Sequence, residues 1–386
     1  MLCLKAGLLK DSLDTLFCKL LRVALGLSHE FPNNLSDNDW NALFLMAKQQ
    51  TLLGVLYNAF SQLPKESLPS RVVAIRWSGA AEMVRGVNRL MNQEAARYTQ
   101  LFNKKGVKSV ILKGQANARL YPDPLSRQAG DIDIWIPGGY DSVARILLEM
   151  RLISEKLFVD DKIHHIGFRN ENNIDVEVHH KASSDILFRN KEFQELLLNE
   201  IDNVTLAPEG FYVPSIRFAL LMQLVHLQHH FFYGGLGLRQ YMDYYILLRH
   251  STESDREYVW KCIKRFGLRY ACSAVMGVLE KVFELPHEQM LCAPSKKRGL
   301  RLYKMAFDGG NFGKYAQTKN NVCFLKRWLK RRIHALQWFS FDPPNAFLRE
   351  FQYWKNAISL IPVRIRHRRI ALCHHDQEKK VLETLK

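Results

Sequence analysis

The chain has no apolar run approaching the roughly eighteen uncharged residues that a membrane-crossing helix needs, so no transmembrane segment is predicted. Paired cysteine spacing is missing too. Its seven cysteines (Cys3, Cys18, Cys262, Cys272, Cys292, Cys323, Cys373) are odd in number, scattered and never spaced C-x-x-C, which argues against both a disulfide framework and a zinc ribbon. The apolar start, "MLCLKAGLLKDSLDTLFCKLLRVALGL", lacks a small-residue cleavage pattern and is interrupted by Lys5, Lys10, Asp11, Asp14, Lys19 and Arg22; it reads as an amphipathic helix, not a leader. Internal repeats and low-complexity segments are also absent. Together these absences predict a globular chain of a reducing cytoplasm. Acidic charge is scarce in one region only. From Pro294 to Lys386 there are 21 Lys+Arg against 6 Asp+Glu, or +15 of the formal +17, leaving 17 − 15 = +2 for the first 293 residues. An anionic partner, nucleic acid or the inner membrane face, is therefore expected at the C-terminal quarter.

What is present has the composition of a globular protein, 47% hydrophobic and 24% charged over 386 residues, enough for more than one compact unit. Residues 1–105 read as a helical region, with Ser36 as N-cap of "DNDWNALFLMAKQQTLLGVLYNAF" and Gly106 as the stop of the last helix. Residues 106–182 change pattern: "VKSVILKG" is a strand, "QANARLY" a helix, "DIDIWI" a strand, "YDSVARILLEM" a helix, and "HHIGF" with "NIDVEVHH" a hairpin around "RNENN". Residues 183–293 return to helix, with "SIRFALLMQLVHLQHHFF" and "LRQYMDYYILLRH" separated by the glycine-rich "YGGLG". Residues 294–386 form the basic C-terminal region.

The acids on the predicted strands raise a question of charge. Side chains alternate along a strand, so Ile132 and Ile134 enter a core while Asp131 and Asp133 stand about 7 Å apart on the other face. In "NIDVEVHH", Asp175, Glu177 and His179 likewise share a face. Carboxylates crowded in this way call for a cation, and Asp131, Asp133 and one acid of the second strand would make an oxygen site for Mg²⁺, with Mn²⁺ as the alternative ion. The strand, Gly114 and short helix "GQANARLY" supply an amide-rich turn where phosphate binds favourably, with Lys113 and Arg127 to neutralise it.

This order resembles the DNA polymerase β type of nucleotidyltransferase superfamily. More specifically, "LKG…YPDPLSRQAGDIDIWI", "HHIGF", "DVEVHH" and "HHFFYGGLGLRQYMDYYILL" resemble a little-characterised bacterial nucleotidyltransferase family with an L-K-G, R-x-x-G-D-I-D and E-h-H pattern, over roughly residues 107–250. The resemblance implies an α+β fold, a polymerase-β-like core with a mixed sheet flanked by helical regions. It also implies Asp131 and Asp133 as metal ligands, Glu177 as the third acid in preference to Asp175, and Gly114 at the phosphate turn. Many members carry Gly-Ser at that turn, whereas Lys113-Gly114-Gln115 here offers no hydroxyl. The implied reaction moves a nucleoside monophosphate from an NTP to an acceptor. Two other readings stand beside it: a nucleotide-binding regulator without turnover, and a basic RNA- or membrane-associated scaffold.

Several residues have plainer alternatives. Arg127 either binds phosphate or ties down the "YPDPLSR" loop. Arg239 either pairs with Asp243 at i,i+4 or reaches the nucleotide. His179 either tunes Glu177 or is a half-buried strand histidine. His226 and His230, also i,i+4, are read as packing or substrate contacts, since no H-E-x-x-H pattern accompanies them. In "FLKRWLKRRIHALQW", an apolar stripe runs beside Lys326, Arg327, Lys330, Arg331 and Arg332, suited to packing or to an anionic surface.

Overall fold

The computed structural model describes residues 12–154, 164–183, 187, 189–233, 235–310, 329, 332–333 and 335–359. The chain divides into two compact units, residues 1–320 and 321–386. The fold is α+β, with the strands concentrated in the middle of the first unit.

Helix α1 (Leu13–Ala24) is capped by Ser12, and α2 (Asp37–Gln50) opens on a capping box in which Ser36 and Asp39 satisfy each other's backbone amides. The pattern read from residue 36 onward as one helical stretch breaks at Thr51, whose φ of 55° lies in the left-handed region. A short α3 (Leu53–Tyr57) then carries Val55 and Leu56 into the core. Helix α4 (Arg71–Lys104) is 34 residues long, about 50 Å at 1.5 Å per residue. It ends at Gly106, whose φ of 70° allows the amide of Val107 to turn back to the Phe102 carbonyl.

Strand β1 (Val110–Leu112) leads directly into α5 (Gly114–Ala118). Then follow β2 (Ile132–Trp135), α6 (Tyr140–Glu149), β3 (His165–Arg169) and β4 (Asp175–His179). Sheet order is β1-β2-β4-β3, with β2 parallel to β4 and the two outer pairings antiparallel, so the sheet is mixed. The β3–β4 turn sits on "RNENN": Asn173 takes a φ of 60°, and the Asn170 side chain accepts from the amides of Asn172 and Ile174. Alternation sends Ile132, Ile134, Val176, Val178 and Ile166 to one face, packed with Met91, Ala95, Tyr98 and Phe102 of α4 and Val143 and Leu147 of α6. The acidic residues are left to the other face.

Beyond the sheet come α7 (Asn190–Asn199), a two-stranded ribbon of β5 (Thr205–Leu206) and β6 (Tyr212–Val213), and then α8 (Ile216–Tyr233), α9 (Leu238–Arg249), α10 (Glu253–Arg265) and α11 (Arg269–Phe283). Helix α12 (Lys296–Gly309), which begins the basic quarter of the sequence, lies against α11. There Gly277 and Gly299 meet so closely that a Cβ on Gly299 would come within 2.7 Å of the Gly277 backbone. In the second unit, α13 (Pro343–Ser359) exposes Phe347, Phe351, Trp354 and Ile358 along one side. No helix among the described residues is long and apolar enough to cross a membrane.

Candidate active site

The parallel pairing of β2 with β4 sets Asp133 opposite Glu177 and Trp135 opposite His179. Asp133, Glu177 and His179 each bring a ligand atom within 4.8 Å of the others. His179 Nε2 lies 2.8 Å from Asp133 Oδ1 and 3.6 Å from Glu177 Oε2. Asp131 immediately precedes β2 and acts on the group through its charge: Asp133 is the first reason, burial the second, that the Asp131 carboxyl is held above the ordinary aspartate range. Burial, followed by Asp133, pushes Glu177 up to about 7.

Positive charge reaches this cluster from the β1–α5 turn. The turn's left-handed residue is Lys113, with φ 43° and ψ −120°, and not Gly114. Such a backbone costs a lysine on the order of 1–3 kcal/mol, and its consequence is an ammonium folded onto the acids, with Nζ 2.8 Å from Asp133 Oδ1. Burial acts to raise the Asp133 carboxyl, but Lys113 and His179 outweigh it and hold that carboxyl well below the usual range. Burial likewise opposes the Lys113 charge, and Asp133 and Asp131 overcome it. Gly114 places its Cα face against the Asp131 carbonyl, where a Cβ would stand at 3.5 Å. The buried Gln115 turns its amide to Met91 Sδ, 3.8 Å away.

Asp175 is exposed and forms a two-bond pair with Arg169 across the hairpin, at 2.8 and 2.9 Å, away from Asp133. Arg127 is buried and grips Asp243 of α9 with bonds of 2.6 and 2.7 Å; Tyr121 donates to the same carboxylate at 2.6 Å. Asp243 thus belongs to a long-range clamp on the "YPDPLSR" loop, reinforced by Asn88, which donates to the carbonyls of Leu125 and Arg127. Arg239 donates to the Gln128 carbonyl at 2.7 Å and adds charge near Asp131. Burial, then Arg127, lowers it to about 10. His226 and His230 of α8 meet edge to face, with ring centroids 4.4 Å apart. Lys326, Arg327, Lys330 and Arg331 lie outside the described residues.

Sequence reasoning missed His164 and His165. Their rings lie 5.2 and 5.3 Å from that of His179, and His165 Nδ1 is 3.6 Å from Glu177 Oε2. The signal was present: in a hairpin turning on "RNENN", an antiparallel register places His165 across from His179, as observed.

Crowded carboxylates in a mostly buried setting, two of them with raised proton affinity, are the electrostatic signature of a cation site. The donor set therefore fits a divalent ion.

The sequence matches a family described as uncharacterised nucleotidyltransferase over residues 36–284. No curated protein matches it. Among solved structures, one similar chain is an antigenic nucleotidyltransferase-like protein from Paracoccidioides brasiliensis, at 12% identity and a TM-score of 0.33, covering 53% of this chain and 94% of that one.

Proposed function

The chain belongs to the uncharacterised nucleotidyltransferase family, and from that premise we propose that it moves a nucleoside monophosphate from an NTP to an acceptor hydroxyl or phosphate in a divalent-metal-dependent reaction. The observation that carries this reading is the pairing of Asp133 with Glu177 across adjacent parallel strands, with Asp131 coupled to Asp133 by charge. Asp131, Asp133 and Glu177 would hold Mg²⁺, or Mn²⁺ in its place. The ion supplies charge neutralisation and Lewis-acid stabilisation at the phosphate oxygens. His179 donates to Asp133 and fixes that carboxylate's orientation. Lys113 brings a positive charge to the same acids, so an NTP's phosphates entering there meet an ammonium. Arg127 serves through the clamp that positions the loop before Asp131, and Arg239 adds charge beside it. Gly114 and Gln115 belong to the turn beneath the phosphates, without the hydroxyl of many relatives. In the transfer, the acceptor oxygen bonds to the α-phosphorus as the bond to pyrophosphate breaks, and the acceptor's proton passes to water.

The test is label transfer from each [α-³²P]NTP, with Mg²⁺ or Mn²⁺, to acceptors in a cell extract. The expected result is labelled product with wild type, reduced on the order of 100-fold or more in Asp131→Asn, Asp133→Asn and Glu177→Gln, with Asp175→Asn close to wild type. Wild-type rates in the first three overturn the site.

One observation favours a second reading, a nucleotide-binding regulator without turnover: Lys113 already neutralises Asp133. Calorimetric NTP binding with no labelled product from any acceptor supports that alternative. An anionic partner at the basic region remains part of the proposal, and the scaffold alternative is supported if RNA or anionic-vesicle binding survives Asp131→Asn with no transfer in wild type.

A further inference from the structure

We propose that His164, His165 and His179 form a second cation site, built of imidazoles and suited to an ion of the Zn²⁺ class, that shares His179 with the carboxylate cluster. The inference goes beyond the transferase reading and does not depend on it.

The hairpin creates the cluster. Antiparallel register sets His165 opposite His179, and His164 lies one residue before β3. The three ring centroids are 4.8, 5.2 and 5.3 Å apart, and one ligand nitrogen from each ring lies within 4.8 Å of the others. Two nitrogens bound tetrahedrally to one zinc stand about 3.4 Å apart. Small ring rotations would bring the three together.

A separate observation points to a ligand. The buried Nδ1 atom of His179 has no hydrogen-bond partner among the described residues, and His179 is only 2% exposed. Such a nitrogen is costly to bury unless something binds it. For His179 the other nitrogen is committed: Nε2 lies 2.8 Å from Asp133 Oδ1. A proton on Nε2, donated to that carboxylate, leaves the lone pair on Nδ1. Carboxylate–histidine–metal relays have this arrangement, with the acid fixing the tautomer and making the imidazole a better ligand. Imidazole donors favour zinc, cobalt or copper over the oxygen-seeking Mg²⁺, so the two neighbouring sites would differ in metal preference.

The test is a Co²⁺ titration of the chelator-treated full chain, without nucleotide, followed by visible absorption and back-titration with Zn²⁺. One equivalent of Co²⁺ should give a ligand-field band that Zn²⁺ removes. The His164→Gln, His165→Gln double variant should bind at least tenfold more weakly, whereas His230→Gln on α8 should match wild type. Circular dichroism establishes that the variants are folded, and His165→Gln alone, at a side chain 25% exposed, replaces the double variant should that one not fold. No band in wild type, wild-type affinity in the folded histidine variant, or loss of the band in His230→Gln overturns the site. Because the readout is spectroscopic and nucleotide-free, a chain with no transferase activity still gives a result, which separates failure of this inference from failure of the transferase reading.

Discussion

At the residue scale, Asp131 and Asp133 differ more than their spacing suggests. The alternation of "DIDIWI" predicts two crowded carboxylates, either of which should relieve repulsion when neutralised. The structure gives that role to Asp131, whose carboxyl Asp133 raises, while Asp133 is pinned by Lys113 and His179. In metal-free protein, Asp131→Asn should melt at or above the wild-type temperature. Asp133→Asn should cost about 3 kcal/mol, because it leaves a buried ammonium without its counter-charge. Thermal melts in chelator check this, and an equal loss in both variants contradicts the assignment. Glu177 gives a pH signature. Its folded carboxyl holds a proton up to about 7, against 4.5 ordinarily, so its contribution to stability is fully present below 4.5 and is lost as pH rises through about 7. The melting advantage of Glu177→Gln over wild type should therefore grow across that window. An advantage independent of pH would place Glu177 in an ordinary solvated setting.

At the scale of elements, Arg127 is a clamp residue before it is anything else. Arg127→Met should destabilise the chain by about 3–5 kcal/mol, since Asp243 is left buried and unpaired. A double cycle with Asp243→Leu should recover much of that loss. Unchanged stability with weakened NTP binding would instead make Arg127 a phosphate ligand. The clamp also shows what was legible in the sequence. Local rules exposed the Ser36 cap, the Gly106 stop, the "RNENN" hairpin and the acidic face of β2, because capping, turn chemistry and period-two alternation operate over a few residues. They did not show that Asp243 is gripped by Arg127 rather than by Arg239 four positions away, a choice made by the packing of α9 against a loop 116 residues distant. Nor did they show that the left-handed turn falls on Lys113, where the ammonium's attraction to Asp133 accompanies a strained backbone. The break at Thr51 was hidden because buried apolar residues recur at near-helical spacing on both sides of it, Leu43, Phe44 and Ala47 before and Leu52, Val55 and Leu56 after.

At the scale of the whole molecule, the excess positive charge and the proposed chemistry lie in different parts of the chain. The acids belong to the first unit, residues 1–320, whereas Arg332 lies in the second and is engaged there, bonded to Glu350 at 3.0 and 3.1 Å and stacked 3.6 Å over the Tyr353 ring. Replacing Lys326, Arg327, Lys330 and Arg331 with Gln, and sparing Arg332, should weaken binding to RNA or anionic vesicles and flatten its salt dependence. NTP binding should be unchanged; its loss would place the basic segment in the nucleotide site. The central claim, that the acids of β2 and β4 hold the ion of a nucleotidyl transfer, is tested most directly by a crystal soaked with Mn²⁺ and a non-hydrolysable NTP and measured for anomalous scattering. The account predicts a manganese peak about 2.1 Å from carboxylate oxygens of Asp131, Asp133 and Glu177, with the triphosphate beside Lys113. A triphosphate bound elsewhere, with Lys113 still on Asp133 and no manganese among the three acids, would contradict it.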